Sequence, residues 1–253
     1  MDSNVIVKNK YLSDKVPRLL VDSIRPILEA NDYKHIVYNT NYNGTYLHRL
    51  QKYYGEYYVN IFIHPGIYKN NLPSEKVKIS FAVCFGSSNV SKIYNSIIKK
   101  KVDIENSIFS FNDLSYFYDN GNKNNTFIVE NLNFIEIIGF FPNFLSEYIS
   151  PFIIENASLD KILGLIQKIL IRDKKFLKLL QKSKNKKFIK SELDPDSYFC
   201  LYINFIILLA LCKKDDLKKK IQEFDKIFRG NHFIMRLDTY NEIFENIEKI
   251  INV

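Results

Sequence analysis

Across residues 45–85 apolar and polar side chains alternate in three successive runs, and the first two meet at Tyr53-Tyr54-Gly55-Glu56. Tyr57, Val59, Ile61 and Ile63 alternate with Tyr58, Asn60, Phe62 and His64, while Val77, Ile79, Phe81, Val83 and Phe85 alternate with Lys78, Ser80, Ala82 and Cys84. A period of two sends one set to a core and leaves the other partly wet. The pattern predicts an antiparallel meander with strands at 45–53, 57–64 and 77–85, preceded by a short strand at 33–39. Pro65-Gly66 and Leu72-Pro73-Ser74 punctuate the loop before the third strand.

Helical spacing brackets this sheet. Val16, Leu19, Leu20, Ile24, Ile27 and Leu28 recur at one face of a helix over 13–30, with Ser13 as its N-cap and Pro17 in its first turn. Pro26 lies inside and predicts a kink or a restart. Ile93, Tyr94, Ile97 and Ile98 predict a helix over 89–101, capped by Asn89 and closed by lysines. Residues 108–118 leave strand and helix both open, and 127–141 read as a strand followed by a helix ending near Pro142.

From Ser158 the period changes to 3.6. Leu159, Ile162, Leu163, Ile166, Ile169 and Leu170 predict a helix reaching toward Leu180, followed by helices over 195–212, 213–228 and 237–251. Asp194-Pro195 reads as cap and first turn, and Gly230 as a left-handed stop. The fold class is therefore α+β: an N-terminal helix packed on an antiparallel meander over 1–155, then an all-helical bundle over 156–253. No repeat of solenoid length is convincing.

Composition adds a mild electropositive bias. The 253 residues carry 36 Lys and Arg against 28 Asp and Glu, a formal charge of +8 that favours anionic partners. Cys84, Cys200 and Cys212 lack paired short spacing and read as small apolar residues in a reducing compartment. Met1 to Lys10 holds no apolar core of signal-peptide length. The longest apolar run, 198–212, is interrupted by Asn204 and falls short of the roughly 18 to 20 residues that cross a bilayer. We expect a cytoplasmic protein with a buried helix there and no membrane span.

Candidate chemistry is sparse. In Tyr46-Leu47-His48-Arg49-Leu50-Gln51-Lys52, His48 and Lys52 share one strand face, and Arg49 and Gln51 the other. Arg49, Gln51 and Lys52 are candidates for holding an anion or a partner, because an Arg and a Gln two apart can fork around a carboxylate or phosphate. The competing and favoured reading is a solvated strand face with cross-strand partners. His35, His48, His64 and His232 show no metal-ligand spacing, so neither metal nor cofactor is expected. His64, before Pro65-Gly66, reads as packing at a strand end.

No nucleophile-elbow glycine pattern occurs, and Gly86-Ser87-Ser88-Asn89 lacks the further glycines and lysine of a phosphate loop. Asp194, Asp196, Asp215 and Asp216 stand at expected helix starts, where capping explains them. The strongest electrostatic feature is the run Arg172, Lys174, Lys175, Lys178, Lys182, Lys184, Lys186, Lys187 and Lys190. Phosphate contacts from such residues give salt-sensitive nucleic-acid affinity, whereas the favoured reading is a solvated helix face and loop.

The order Ile24-Arg25-Pro26-Ile27-Leu28-Glu29-Ala30-Asn31-Asp32-Tyr33-Lys34, then Leu50-Gln51-Lys52-Tyr53-Tyr54-Gly55-Glu56-Tyr57-Tyr58-Val59-Asn60-Ile61, resembles a family of bacterial domains of unknown function. In that family a helix ends in a Gly-Phe-Lys-like turn and leads into a Gln-Lys strand and a Val-Asn-Leu-like strand. The resemblance covers about the first third of the chain, and Asn31-Asp32-Tyr33 departs from its glycine and aromatic. It implies a small α+β domain of a bacterial accessory protein, with no catalytic residue to carry over. By analogy with orphan domains of this kind it implies a non-enzymatic protein that binds another protein, as an immunity or defence component. The alternatives are nucleic-acid binding through the lysine run, and an enzyme assembled from Arg49, Gln51, His48 or His64.

Overall fold

The computed structural model describes residues 14–39, 46–67, 76–99, 108–111, 126–172, 195–229 and 240–251. The chain forms two compact units, Met1–Phe85 with Ser110–Glu155, and Gly86–Phe109 with Asn156–Val253. The architecture is α+β, as the change of period at Ser158 predicts.

In the first unit, helix α1 (Val16–Ala30) buries Val16, Leu20, Val21, Ile24 and Leu28 along one face. Pro17 occupies the first turn, where its missing N–H costs nothing, and Pro26 stays inside one continuous helix rather than restarting it. The helix stops because Asp32 adopts φ 57. The Tyr33 N–H then returns to the Leu28 carbonyl at 2.9 Å, and Asn31 Nδ2 donates to the Ile27 carbonyl at 2.9 Å. Aspartate tolerates the left-handed region better than most residues, so it can take the place of the glycine that such turns favour.

Among the described residues six strands follow: β1 (Lys34–Asn39), β2 (Tyr46–Tyr54), β3 (Tyr57–Ile67), β4 (Lys76–Ser87), β5 (Phe109–Phe111) and β6 (Thr126–Glu130). Their order is β1-β2-β3-β4-β5, with β6 also paired to β4. The β1/β2, β2/β3 and β4/β6 pairs are antiparallel. Gly55, at φ +66, makes the tight turn that sets Tyr54 opposite Tyr57. The predicted core positions Tyr57, Val59, Ile61, Ile63, Val77, Ile79, Phe81, Val83 and Phe85 are all buried. One boundary is corrected: β3 does not end at His64 but continues through Pro65-Gly66 to Ile67, so His64 is an exposed mid-strand residue.

Pro142 does not end the helix that follows β6. Helix α3 (Ile135–Asn143) runs into a π-helical turn, Phe144–Ile149, and then into α4 (Ser150–Asn156). A proline inside a helix removes one donor, and a locally wider turn is a common way of absorbing such a defect. The Ser146 hydroxyl donates to the Pro142 carbonyl at 2.9 Å. By length and composition this 22-residue helical stretch, Ile135–Asn156, suffices to cross a bilayer. Its buried residues Ile137, Phe141, Phe144, Leu145, Ile149 and Ile153 form one stripe, while Glu136, Glu147 and Glu155 are exposed. That division is typical of an amphipathic helix against a protein core.

The second unit contains α2 (Ser88–Ile98), α5 (Leu159–Arg172), α6 (Pro195–Leu211), α7 (Leu217–Phe228) and α8 (Tyr240–Ile251). Leu201 through Leu209 of α6 are buried without interruption, which makes this the central helix. Against it Phe199 and Tyr202 meet Phe224 and Phe228 of α7, with ring centroids 5.2 to 5.9 Å apart. Asn246 Nδ2 of α8 donates to the Ile97 carbonyl at 2.8 Å, and Lys99 pairs with Glu242.

Capping follows the sequence only in part. The Ser158 hydroxyl accepts from the Lys161 N–H at 3.4 Å, one turn into α5. For α2 the cap is Ser87, whose Oγ accepts from the Val90 N–H at 3.5 Å, not Asn89. Asp216 takes the cap position of α7 without a side-chain cap bond, so its contribution is limited to its charge. Cys84 is buried, but Cys200 and Cys212 are only half-buried.

Candidate functional site

The register of β2 places its polar side chains on both faces of the sheet. His48, Lys52 and Tyr54 lie across from Ile63, Val59 and Tyr57, on the side that faces the core. Arg49 and Gln51 lie across from Phe62 and Asn60 on the reverse side. The expected solvated face is absent: His48 is 0% exposed, Arg49 3%, Gln51 4% and Asn60 0%. A half-exposed antiparallel sheet leaves one face in water, but here both faces of the central strands are covered.

On the reverse face the Arg49 guanidinium donates to the Tyr38 hydroxyl and sits 4.9 Å from the centre of that ring. Gln51 stands opposite Asn60, whose amide makes no hydrogen bond among the described residues. Lys52 does not join them. Its ammonium lies on the opposite face, 5.0 Å from the Tyr54 ring centre and 5.8 Å from that of Tyr33, and 4.0 Å from Asp32. The three anion candidates therefore do not converge. Burial, with the Tyr54 hydroxyl beside it, raises the Tyr33 phenol well above its ordinary pKa.

A histidine pair is the feature that sequence spacing did not show. His35 opposes Leu50, so it sits diagonally from His48, within reach of a long side chain. The His35 Nε2 and His48 Nδ1 atoms are 2.9 Å apart and the rings stack at 21°. His48 Nε2 lies 3.5 Å from Asp14 Oδ1, and Asp14 is bridged to Arg18 Nε at 2.6 Å. Residues thirteen positions apart carry no motif; only the strand register joins them. His48 and Arg49 point through opposite faces, and His64 is exposed on β3, so the enzyme set Arg49, Gln51, His48 and His64 is not assembled around one point. Among the described residues no group of three or more His, Cys, Asp or Glu could hold a metal ion.

Arg172 ends α5, and Lys174, Lys175, Lys178, Lys182, Lys184, Lys186, Lys187 and Lys190 lie outside the described residues. A surface groove of about 630 Å³ opens where β6 turns into α3. Asn131 and Leu132, at φ 48 and 56, turn the chain there, and Asn133 Oδ1 accepts from the Ile135 N–H at 3.1 Å. Phe127, Val129 and Ile137 line the groove with Ile128 and Ile135, and Lys76, Glu130 and Glu136 supply its charges. Lys76 and Glu130 form a cross-strand ion pair. Sequence reading missed this groove because a turn of two left-handed non-glycine residues has no compositional signature.

No family model, no curated protein and no solved structure matches this chain.

Proposed function

We propose that this chain is a non-enzymatic bacterial protein that acts by binding another protein, as an immunity or defence component, and that the groove between β6 and α3 is the binding surface. One observation carries the reading. Of the four large apolar residues that stand exposed among those described, Ile128 at 45% and Ile135 at 71% line the same groove. Large apolar side chains left in water beside one another mark interaction surfaces, and charged residues around an apolar centre follow the division of interfaces into core and rim. The bacterial and defence setting rests on the family resemblance of the first third of the chain.

The test is reconstitution with the product of an adjacent reading frame, followed by photo-crosslinking from position 135. The expected result is a defined complex whose affinity falls at least tenfold in Ile128→Asp and Ile135→Asp while the urea midpoint holds. A complex that both variants form as tightly as the wild type removes the groove. Turnover in an activity screen, with no partner recovered, removes the whole reading.

A second reading, nucleic-acid binding through the lysine run at 172–190, is supported by that run and by the charge of +8. Binding to a labelled oligonucleotide that weakens steeply with salt supports it, and no binding at low salt removes it.

A further inference from the structure

We infer that His35 and His48 form a proton-sensitive latch that ties β1 to β2 at neutral pH and weakens as the medium turns acid. The geometry sets the rule. At 2.9 Å one ring nitrogen must donate and the other accept, so the contact holds one proton. Two imidazolium rings would bring N–H against N–H and two positive charges into contact. The stacked pair therefore takes up protons as a unit.

The surroundings direct this proton. Just before α1 stands Asp14, within 3.5 Å of His48 Nε2, and from α1 comes Arg18, bridged to Asp14. Farther along the helix, Arg18 and Arg25 oppose a charge on His35 while Asp22 favours it. Across β3 the neighbours are apolar, Ile63 facing His48 and Ile61 facing Leu50. On β2 itself Tyr46 and Lys52 share the face of His48. With both rings neutral, His35 Nε2–H donates to His48 Nδ1, while Asp14 Oδ1 stays 3.5 Å from His48 Nε2, near it but not hydrogen-bonded to it. His48 is fully buried, so a charge there is costly unless it is compensated.

Burial, reinforced by Arg18 and Arg25, lowers the His35 pKa below its ordinary value. The sign follows. Below about pH 6.5 the unfolded chain binds protons that the folded pair refuses, so stability is full above that pH and is lost as pH falls. If the pair excludes one proton, the unfolding constant rises up to about tenfold per pH unit in that range, beyond the contribution of other groups.

Urea unfolding of the full chain at a series of pH values from 8 to 5, for the wild type, His35→Gln and His48→Gln, tests this. Glutamine keeps a hydrogen-bonding group in place of the ring without titrating. Below pH 6.5 the log unfolding constant of the wild type is expected to rise more steeply with falling pH than that of a folded variant, by up to about one per pH unit. Parallel slopes overturn the latch. Ring resonances of the wild type supply a measurement that needs no variant: a coupled titration of His35 and His48 supports it, and two independent titrations near pH 6.5 overturn it.

Discussion

Asn204, in the middle of the apolar central helix α6, donates its Nδ2 proton to the backbone carbonyl of Ile108 at 3.1 Å, across 96 residues of chain. Both residues are buried. The residue that breaks the longest apolar run in the sequence is thus the tether between that helix and the end of the connection before β5. Asn204→Leu is expected to cost about 1 to 3 kcal/mol, because a buried carbonyl then loses its donor without gaining water. Urea denaturation checks it, and an unchanged midpoint would show that the bond contributes nothing.

Phe224 of α7 is fully buried among Phe199, Tyr202, Phe228 and Tyr240, with ring centroids 4.8 to 6.0 Å away. Truncation to alanine leaves a cavity whose walls are rings that cannot collapse into it. Phe224→Ala should destabilise the helical unit by about 3 to 5 kcal/mol, while Phe224→Leu should cost clearly less. Thermal melts of the two variants give the comparison.

The Ser87 bond to the Val90 N–H is long, at 3.5 Å, yet it serves a donor at the start of α2. Ser87→Ala is expected near the low end of the range of about 0.5 to 2 kcal/mol for lost caps. Asn89→Ala should cost less, since Asn89 is exposed and does not cap. The reverse ranking in chemical denaturation would return the cap to Asn89.

Alkaline pH should weaken the fold. Burial, together with the Tyr54 hydroxyl, raises the Tyr33 phenol, and burial with the Asp225 carboxylate raises that of Tyr240, which donates to Asp225 Oδ1 at 3.1 Å. A phenol that holds its proton longer when folded contributes stability that is complete below its unfolded pKa of about 10 and is lost as pH rises above it. Tyr33→Phe should therefore lose less stability between pH 9 and 11 than the wild type. Circular dichroism melts across that interval read the difference, and equal losses would acquit Tyr33.

Alternation was enough to find the strands because side chains leave a strand on opposite sides in turn, whatever lies beyond. That rule alone places Ile61 and Ile63 in the core, and both are buried there. The same local rule failed for Arg49 and Gln51, since it separates two faces but does not say how many faces are covered. It also failed at Pro142, where a π-type turn carries the helix past a missing donor.

The amino-acid order by itself determined the α+β class, the hairpin at Gly55, the buried stripe of α1 and the change to helical period at Ser158, all of which depend on residues within a turn or two of each other. Only the tertiary structure decided that β2 is polar and buried on both faces, that His35 meets His48, that Asn204 holds Ile108, and that Ile128 and Ile135 share a groove. Each of these joins residues through strand register or helix packing. Such contacts depend on how distant segments share one core, and that information is not local to any stretch of the chain.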